Sequence, residues 1–177
     1  MKEKIDKNPR LIAALDYAKR GWSVFPLHTS IKGKCSCGNP DCTSVGKHPR
    51  TKNGYKDASQ DEDVIRDWWD TYPNANIGLV TGEDSGIIVL DIDPQNGGED
   101  SLKKLRKENG ELQNTFKVVT GGGGEHMYFQ HPEDGTKIGN RAGLGSEYPG
   151  LDIRGGGGYV VAPPSKHKSY LFSSKRM

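Results

Sequence analysis

A chain of 177 residues is long enough for one compact domain with a real core, and 25 basic against 23 acidic side chains, net +2, neither demand nor exclude a polyanionic partner. The 24 glycines and 10 prolines punctuate short elements and form no single low-complexity tract, which excludes disorder in favour of a loop-rich globular domain. No apolar run approaches the roughly 18 residues needed to cross a bilayer, and Met1-Lys-Glu-Lys-Ile5 has no apolar signal core, so the expectation is a cytoplasmic protein with no membrane partner.

Asn8-Pro9 is a good N-cap and first-turn pair. Leu11, Ile12, Leu15 and Ala18 share one helical stripe, and Gly21 is a stop. Trp22 to Leu27 is a predicted strand. Residues 28–59 are then polar and without periodicity, which marks a functional, disordered or metal-stapled segment. All three cysteines fall here, in the spacing Cys35-x-Cys37-x4-Cys42-x5-His48. A local, odd-numbered cluster points to a metal and away from a disulfide framework. Three thiolates and one imidazole make a closed tetrahedral zinc site, with His28 competing for the fourth position. The loop has too few apolar residues to fold alone, so the metal would supply the missing free energy. Gly46 to Lys56 is the most basic local stretch, and Lys47 and Arg50 read equally well as solvated side chains or as phosphate contacts.

Ser59 or Asp61 can cap a helix running to about Tyr72, with Val64, Ile65, Trp68 and Trp69 as its apolar side. The two tryptophans read as core, not as base-stacking platforms. Pro73 ends that helix, Asn76 to Val80 is a strand, and Thr81-Gly82 is a turn. A second apolar run, Gly86 to Asp93, ends abruptly in two carboxylates. Period-2 geometry puts Asp91 and Asp93 on one face, with Leu90 and Ile92 on the other, and Pro94 stops the strand. Two acids so placed repel each other unless a cation lies between them.

A third helix is expected over about Gly98 to Asn109, with Leu102 and Leu105 inward and Gly110 as its stop. Thr115 to Thr120 is a strand. Gly121 to Gly124 then run into Glu125-His126 and a strand ending at Gln130. Such glycines let a backbone approach a ligand and turn N–H groups toward an anion. This is no Walker loop, because neither Lys-Ser nor Lys-Thr follows. Residues 131–149 form an irregular loop with Lys137, Asn140 and Arg141 available. Leu151-Asp152-Ile153-Arg154 alternates again, apolar one way and charged the other. Gly155 to Gly158 lead to the strand Tyr159 to Ala162, then Pro163-Pro164-Ser165-Lys166-His167. The order of helices and strands suggests an α/β or α+β sandwich, read as one domain over 1–177 with the zinc loop inserted.

Asp91, Asp93, Asp152, His126, Arg154 and two Gly-rich turns all lie at strand ends. Metal-dependent phosphoryl transfer asks for that inventory: oxygen ligands for two hard cations, and basic or backbone donors for the remaining phosphates.

Asp91-Ile-Asp93, Gly124-Glu-His126 and Leu151-Asp152 resemble, in order and spacing, the acid-x-acid, small-x-His and hydrophobic-acid motifs of the archaeo-eukaryotic primase superfamily. Gly46-Lys-His-Pro-Arg50, Asn76-Ile-Gly78, Thr81-Gly82 and Gly150 to Ser165 are similar to its bifunctional primase-polymerase branch, found in plasmids, phages and integrated elements. The resemblance spans roughly residues 10–168. It implies an α+β fold in which an RRM-like catalytic sheet joins an N-terminal α/β unit. Asp91, Asp93 and Asp152 would be the catalytic ligands of Mg²⁺ or Mn²⁺. Gly124 and His126 would hold the incoming triphosphate, with Arg154, Ser165 and His167 lining the same pocket; Lys47 stands beside them as a nucleotide-binding candidate from the basic stretch. Some members carry a similar Cys-x-Cys-x4-Cys insertion before Gly-Lys-His-Pro, which favours His48 over His28 as the structural zinc ligand.

The expected function is DNA-templated nucleotidyl transfer, as primase, DNA polymerase or both, on single-stranded DNA with nucleoside triphosphates and a helicase region or partner. The short segment after His167 lacks the Ser-Gly turn of the family, so the chain reads as a domain excised from a longer replication protein or as a truncated product. A non-catalytic nucleic-acid or nucleotide-binding module of the same fold is the first rival. A rolling-circle nicking endonuclease is weaker, because His126-Met-Tyr128 offers one histidine where that chemistry wants two.

Overall fold

A computed structural model describes residues 7–167, 170–171 and 173–175, with side chains described through Lys166. The chain is a mixed α and β protein with several antiparallel sheets. It divides into two compact units, residues 1–79 with 161–171 and residues 80–160 with 172–177. Among the described residues, no helix is long and apolar enough to cross a membrane.

In the first unit, α1 (Pro9–Lys19) starts where Asn8 accepts from the Arg10 N–H and Pro9 takes the first turn. It ends where Gly21, at φ 81°, lets its own N–H reach Ala18 and that of Trp22 reach Tyr17. Its buried side is Leu11, Ala14, Leu15 and Tyr17; Ile12, expected on that stripe, is 48% exposed. Leu11 and its i+3/i+4 neighbours Ala14 and Leu15 face inward, and Ile12 lies beyond the edge of that strip. β1 (Val24–Leu27) is fully buried and pairs with β4 (Asn76–Val80). α2 (Glu62–Thr71) is capped by Asp61, which accepts from the Asp63 and Val64 N–H groups. α2 buries Ile65 and Trp69 but leaves Val64 38% exposed, a second correction to the expected apolar side. α1 and α2 pack on each other and on β1. The long polar loop is not structureless: β2 (Ser30–Ile31) and β3 (Lys34–Cys35) form a short hairpin, and Gly54–Asp57 is a 3₁₀ turn.

The second unit is built on β5 (Ile87–Ile92), α3 (Gly98–Asn109), β6 (Lys117–Val119), β7 (Glu125–Gln130) and β8 (Leu151–Arg154). β9 (Tyr159–Ala162) joins β1 and β4 in the order β1-β4-β9, and β10 (Lys166–His167) pairs with β11 (Tyr170–Leu171). With β12 (Ser173–Lys175), the larger sheet runs β12-β6-β7-β5-β8. Within it β5 lies between β7 and β8, and alternation at its end separates two faces. Leu90, Ile92, Met127 and Leu151 are buried on one face, and Leu102 and Leu105 of α3 pack against them. Each fully buried Leu or Ile contributes about 1.5–3 kcal/mol, which makes this the face that sets the register. Asp91 stands on the other. The strand Thr115–Thr120 is shorter than expected, forming only over β6, and β5 stops at Ile92, one residue before the second acid.

Candidate functional site

The pairing of β5 with both neighbours assembles the charged residues. Asp91 lies opposite His126 on β7 and opposite Asp152 on β8. Directly opposed residues of antiparallel strands share a face with their Cβ atoms about 5 Å apart. His126 Nε2 lies 3.4 Å from Asp91 Oδ1. Arg154, two residues beyond Asp152 and therefore on the same face, places its Nη2 3.0 Å from Asp91 Oδ2 and 2.7 Å from Asp152 Oδ2. Asp152 Oδ1 accepts the Gly143 N–H at 2.6 Å. Burial raises the Asp91 carboxyl, but the His126 ring and the Arg154 guanidinium outweigh it and hold the group below the usual carboxylate range.

Asp93 is held differently. It caps the 3₁₀ turn Pro94–Asn96, accepting from the Gln95 N–H at 2.9 Å and from Asn96 Nδ2 at 2.7 Å. Its backbone is wedged between α3 and the start of β8: the Asp93 N–H donates to Gly150 O at 2.8 Å and Gly98 N–H to Asp93 O at 2.9 Å. A Cβ at Gly98 would fall 2.6 Å from Gly150 O, so the close approach excludes any side chain there. Asp91 and Asp152 thus meet across β5 and β8 against one guanidinium, while Asp93 follows the end of β5 with both of its oxygens bonded within its own turn. One cationic nitrogen already bridges Asp91 and Asp152, so the two carboxylates are spaced to share a positive centre.

Gly121 to Gly124 prove to be the tight β6–β7 hairpin loop. The Thr120 N–H donates to Gly124 O, the Gly123 N–H to Thr120 O, and the Gly124 N–H to Thr120 Oγ1. A Cβ on Gly124 would collide with the Ile92 carbonyl oxygen, so a small residue here is what lets His126 register with Asp91.

The other expected pocket residues lie in the first unit. Lys47 is exposed. Ser165 is fully buried, and its hydroxyl accepts from the Ile77 N–H at 2.8 Å, which ties this segment to β4. The backbone of His167 belongs to β10, and its side chain lies outside the described residues. Arg50 donates from Nη2 to Ser36 Oγ at 2.7 Å and stacks over Tyr72 at 4.6 Å. It is an internal clamp of the loop.

That loop carries a second constellation. Ligand atoms of Cys35, Cys37, Cys42 and His48 all lie within 4.8 Å of one another. Nε2 of His48 is 3.3 Å from Cys35 Sγ and 3.6 Å from Cys42 Sγ. β1 aims this histidine: the His28 N–H donates to His48 O and the Arg50 N–H to Pro26 O, each at 2.9 Å. The cluster takes His48 and not His28, whose Nδ1 lies 3.0 Å from Ser36 Oγ. Burial, with Arg50 and His48 nearby, lowers the His28 ring to about 4. Burial raises the Cys35 thiol, yet N–H donors from Gly46 and Cys37, the Cys37 thiol and the His48 ring together bring it down to about 6. A thiolate so favoured, in a compact S₃N set, fits tetrahedral zinc.

Sequence reasoning missed the Gly143 N–H on Asp152 and the buried amide of Asn76. The latter donates to Gly46 O and Lys166 O and accepts from Thr29 Oγ1 and the Lys166 N–H. An Asn opening an otherwise apolar strand was the available signal. The sequence matches the family model of bifunctional DNA primase/polymerase, N-terminal, over residues 14–176. No curated protein matches it.

Proposed function

The chain belongs to the bifunctional DNA primase/polymerase (Prim-Pol) N-terminal family, and from that premise we propose that it is a DNA-templated nucleotidyltransferase joining nucleoside triphosphates. The observation that carries the reading is the lateral alignment of His126, Asp91 and Asp152 on three neighbouring strands, with Arg154 on the same face. The strand order β6-β7-β5-β8, with α3 crossing from β5 to β6, supports an RRM-like catalytic sheet.

Asp91, Asp93 and Asp152 would hold two Mg²⁺ or Mn²⁺ ions. When bound, these ions supply charge neutralisation for the attacking hydroxyl, the α-phosphate and departing pyrophosphate. The side chains do the rest. His126, buried and facing Asp91, presents a donor to triphosphate oxygens. Arg154 contributes a planar fork suited to phosphate. Lys47 offers a flexible charge for nucleotide or template, and His167 follows by resemblance. Ser165, wholly buried on Ile77, is assigned to holding the strand. The Cys₃His cluster is proposed as a structural zinc site.

Extension of a primed single-stranded DNA template by the purified chain tests this, with each nucleotide set and Mg²⁺ or Mn²⁺. Asp91→Ala should abolish incorporation while the circular dichroism spectrum stays native. Undiminished extension by that variant sinks the assignment. The Arg154 bridge favours one rival, a binding module that neutralises its acids internally. Nucleotide binding without any metal-dependent incorporation would select it.

A further inference from the structure

The acidic pair is not open as it stands. Each carboxylate has one oxygen on a local partner: Asp91 Oδ1 faces His126 Nε2, and Asp152 Oδ1 takes the Gly143 N–H. The remaining oxygens, Asp91 Oδ2 and Asp152 Oδ2, converge on one atom, Arg154 Nη2, and Nε of the same side chain adds a 3.3 Å contact to Asp91 Oδ2. Arg154 reaches this position by leaning along the sheet. Its own cross-strand partner is Val89, two pairs behind Asp91 and Asp152 and on the same face.

We propose that Arg154 is the resident counter-cation of this site, and that it must leave both carboxylates before a divalent ion can enter. The same two oxygens cannot serve both cations, and a guanidinium left beside a dication would be repelled by it. Metal affinity is then reduced by the fraction of molecules in which Arg154 remains seated. The three side chains are 23–28% exposed, so the long arginine stem has somewhere to swing without breaking the core. With no metal present, the seated arginine keeps two cross-strand acids from driving β5 and β8 apart. An arriving nucleoside triphosphate offers the displaced fork a better anion while bringing its own divalent ion, so the charges exchange partners. Metal loading in the absence of nucleotide would thereby be held weak, and nucleotide arrival would strengthen it.

The inference rests on the proposed role of Asp91 and Asp152 as metal ligands, and the test separates the two. Mn²⁺ binding to the zinc-loaded chain without nucleotide is titrated by electron paramagnetic resonance for wild type, Arg154→Gln and Asp91→Asn. Arg154→Gln should bind Mn²⁺ more tightly by on the order of tenfold, and Asp91→Asn should lose the site. Equal or weaker binding by Arg154→Gln, with Asp91-dependent binding present in wild type, overturns the counter-cation and leaves the metal reading intact. No Asp91-dependent binding in any of the three proteins, even at millimolar Mn²⁺, overturns the metal reading itself. Should Arg154→Gln fail to fold, the wild-type chain decides: the Arg154 Nε–H resonance should shift as Mg²⁺ saturates the site, and an unmoved resonance rejects the proposal.

Discussion

Replacing Asn76 with alanine should destabilise the first unit by about 3–5 kcal/mol. The side chain is fully buried, and it makes four hydrogen bonds: 2.8 Å to Gly46 O, 2.7 Å to Lys166 O, 2.9 Å from the Lys166 N–H and 3.3 Å from Thr29 Oγ1. Truncation orphans the buried Gly46 carbonyl outright. It also strands the Lys166 amide N–H and carbonyl, which have an exposed side chain beside them and recover partly through water. Each orphaned main-chain group costs about 1–3 kcal/mol, the long Thr29 bond adds little, and the cavity left by the amide adds about 1 kcal/mol. Trp22, Trp68 and Trp69 are the chain's three tryptophans, and all lie in this unit, so urea unfolding followed by tryptophan fluorescence reads this unit directly. Gly46 is also two residues from His48, and releasing its carbonyl should loosen the metal cluster, seen as faster zinc transfer to a chromogenic chelator. A loss under about 1 kcal/mol with unchanged zinc transfer would refute the reasoning, because it would mean that these partners find substitutes without the amide.

Zinc removal by a strong chelator should lower the melting temperature, and Cys42→Ala should reduce bound zinc to well below one equivalent by elemental analysis. Gly124→Ala should cut nucleotide incorporation by about tenfold or more through the Ile92 clash, since small misplacements of reacting groups carry such losses. Gly122→Ala, whose added Cβ would meet only Thr120 Oγ1 at 4.0 Å, should stay near wild type in the same extension assay. Tyr17 donates from its buried hydroxyl to Pro163 O, and burial lifts its ionisation from 10.0 to about 12. The folded state therefore keeps a proton that the unfolded chain gives up, so stability is full below pH 10.0 and falls as pH rises toward about 12. Alkaline urea titrations should show that slope, and Tyr17→Phe should flatten it.

Much of the site was legible because its chemistry is written in alternation. Leu90-Asp91-Ile92 and Leu151-Asp152-Ile153 each declare one apolar and one acidic face, and both strands formed with those faces. What alternation does not encode is which strands become neighbours. The opposition of Asp91 to Asp152 and His126, and with it the reach of Arg154, exists only through pairings between residues far apart in sequence. His28 and His48 were indistinguishable by spacing; the choice depends on main-chain bonds from the loop back to β1, which composition does not report. Ile12 and Val64 were misplaced for a simpler reason. A helical stripe shows which residues share a side, but the width of the buried strip depends on the partner packed against it.

The register that makes the core also makes the site. A one-residue slip of β5 against either neighbour would carry Asp91 to the face where Leu102 and Leu105 pack on Leu90, Ile92, Met127 and Leu151. That slip would bury a carboxylate in hydrocarbon and expose several large apolar side chains at once, each worth about 1.5–3 kcal/mol. The positions of Asp91, His126, Asp152 and Arg154 are therefore held by residues that touch none of them. Asp93 falls outside this protection, because it lies past the end of β5 and owes its place to the Pro94 turn and the close packing of Gly98 on Gly150. Of the three acids it is the one whose geometry depends on a turn instead of the sheet, so substitutions at Gly98 or Gly150 should disturb Asp93 while leaving the Asp91–Asp152 pair aligned.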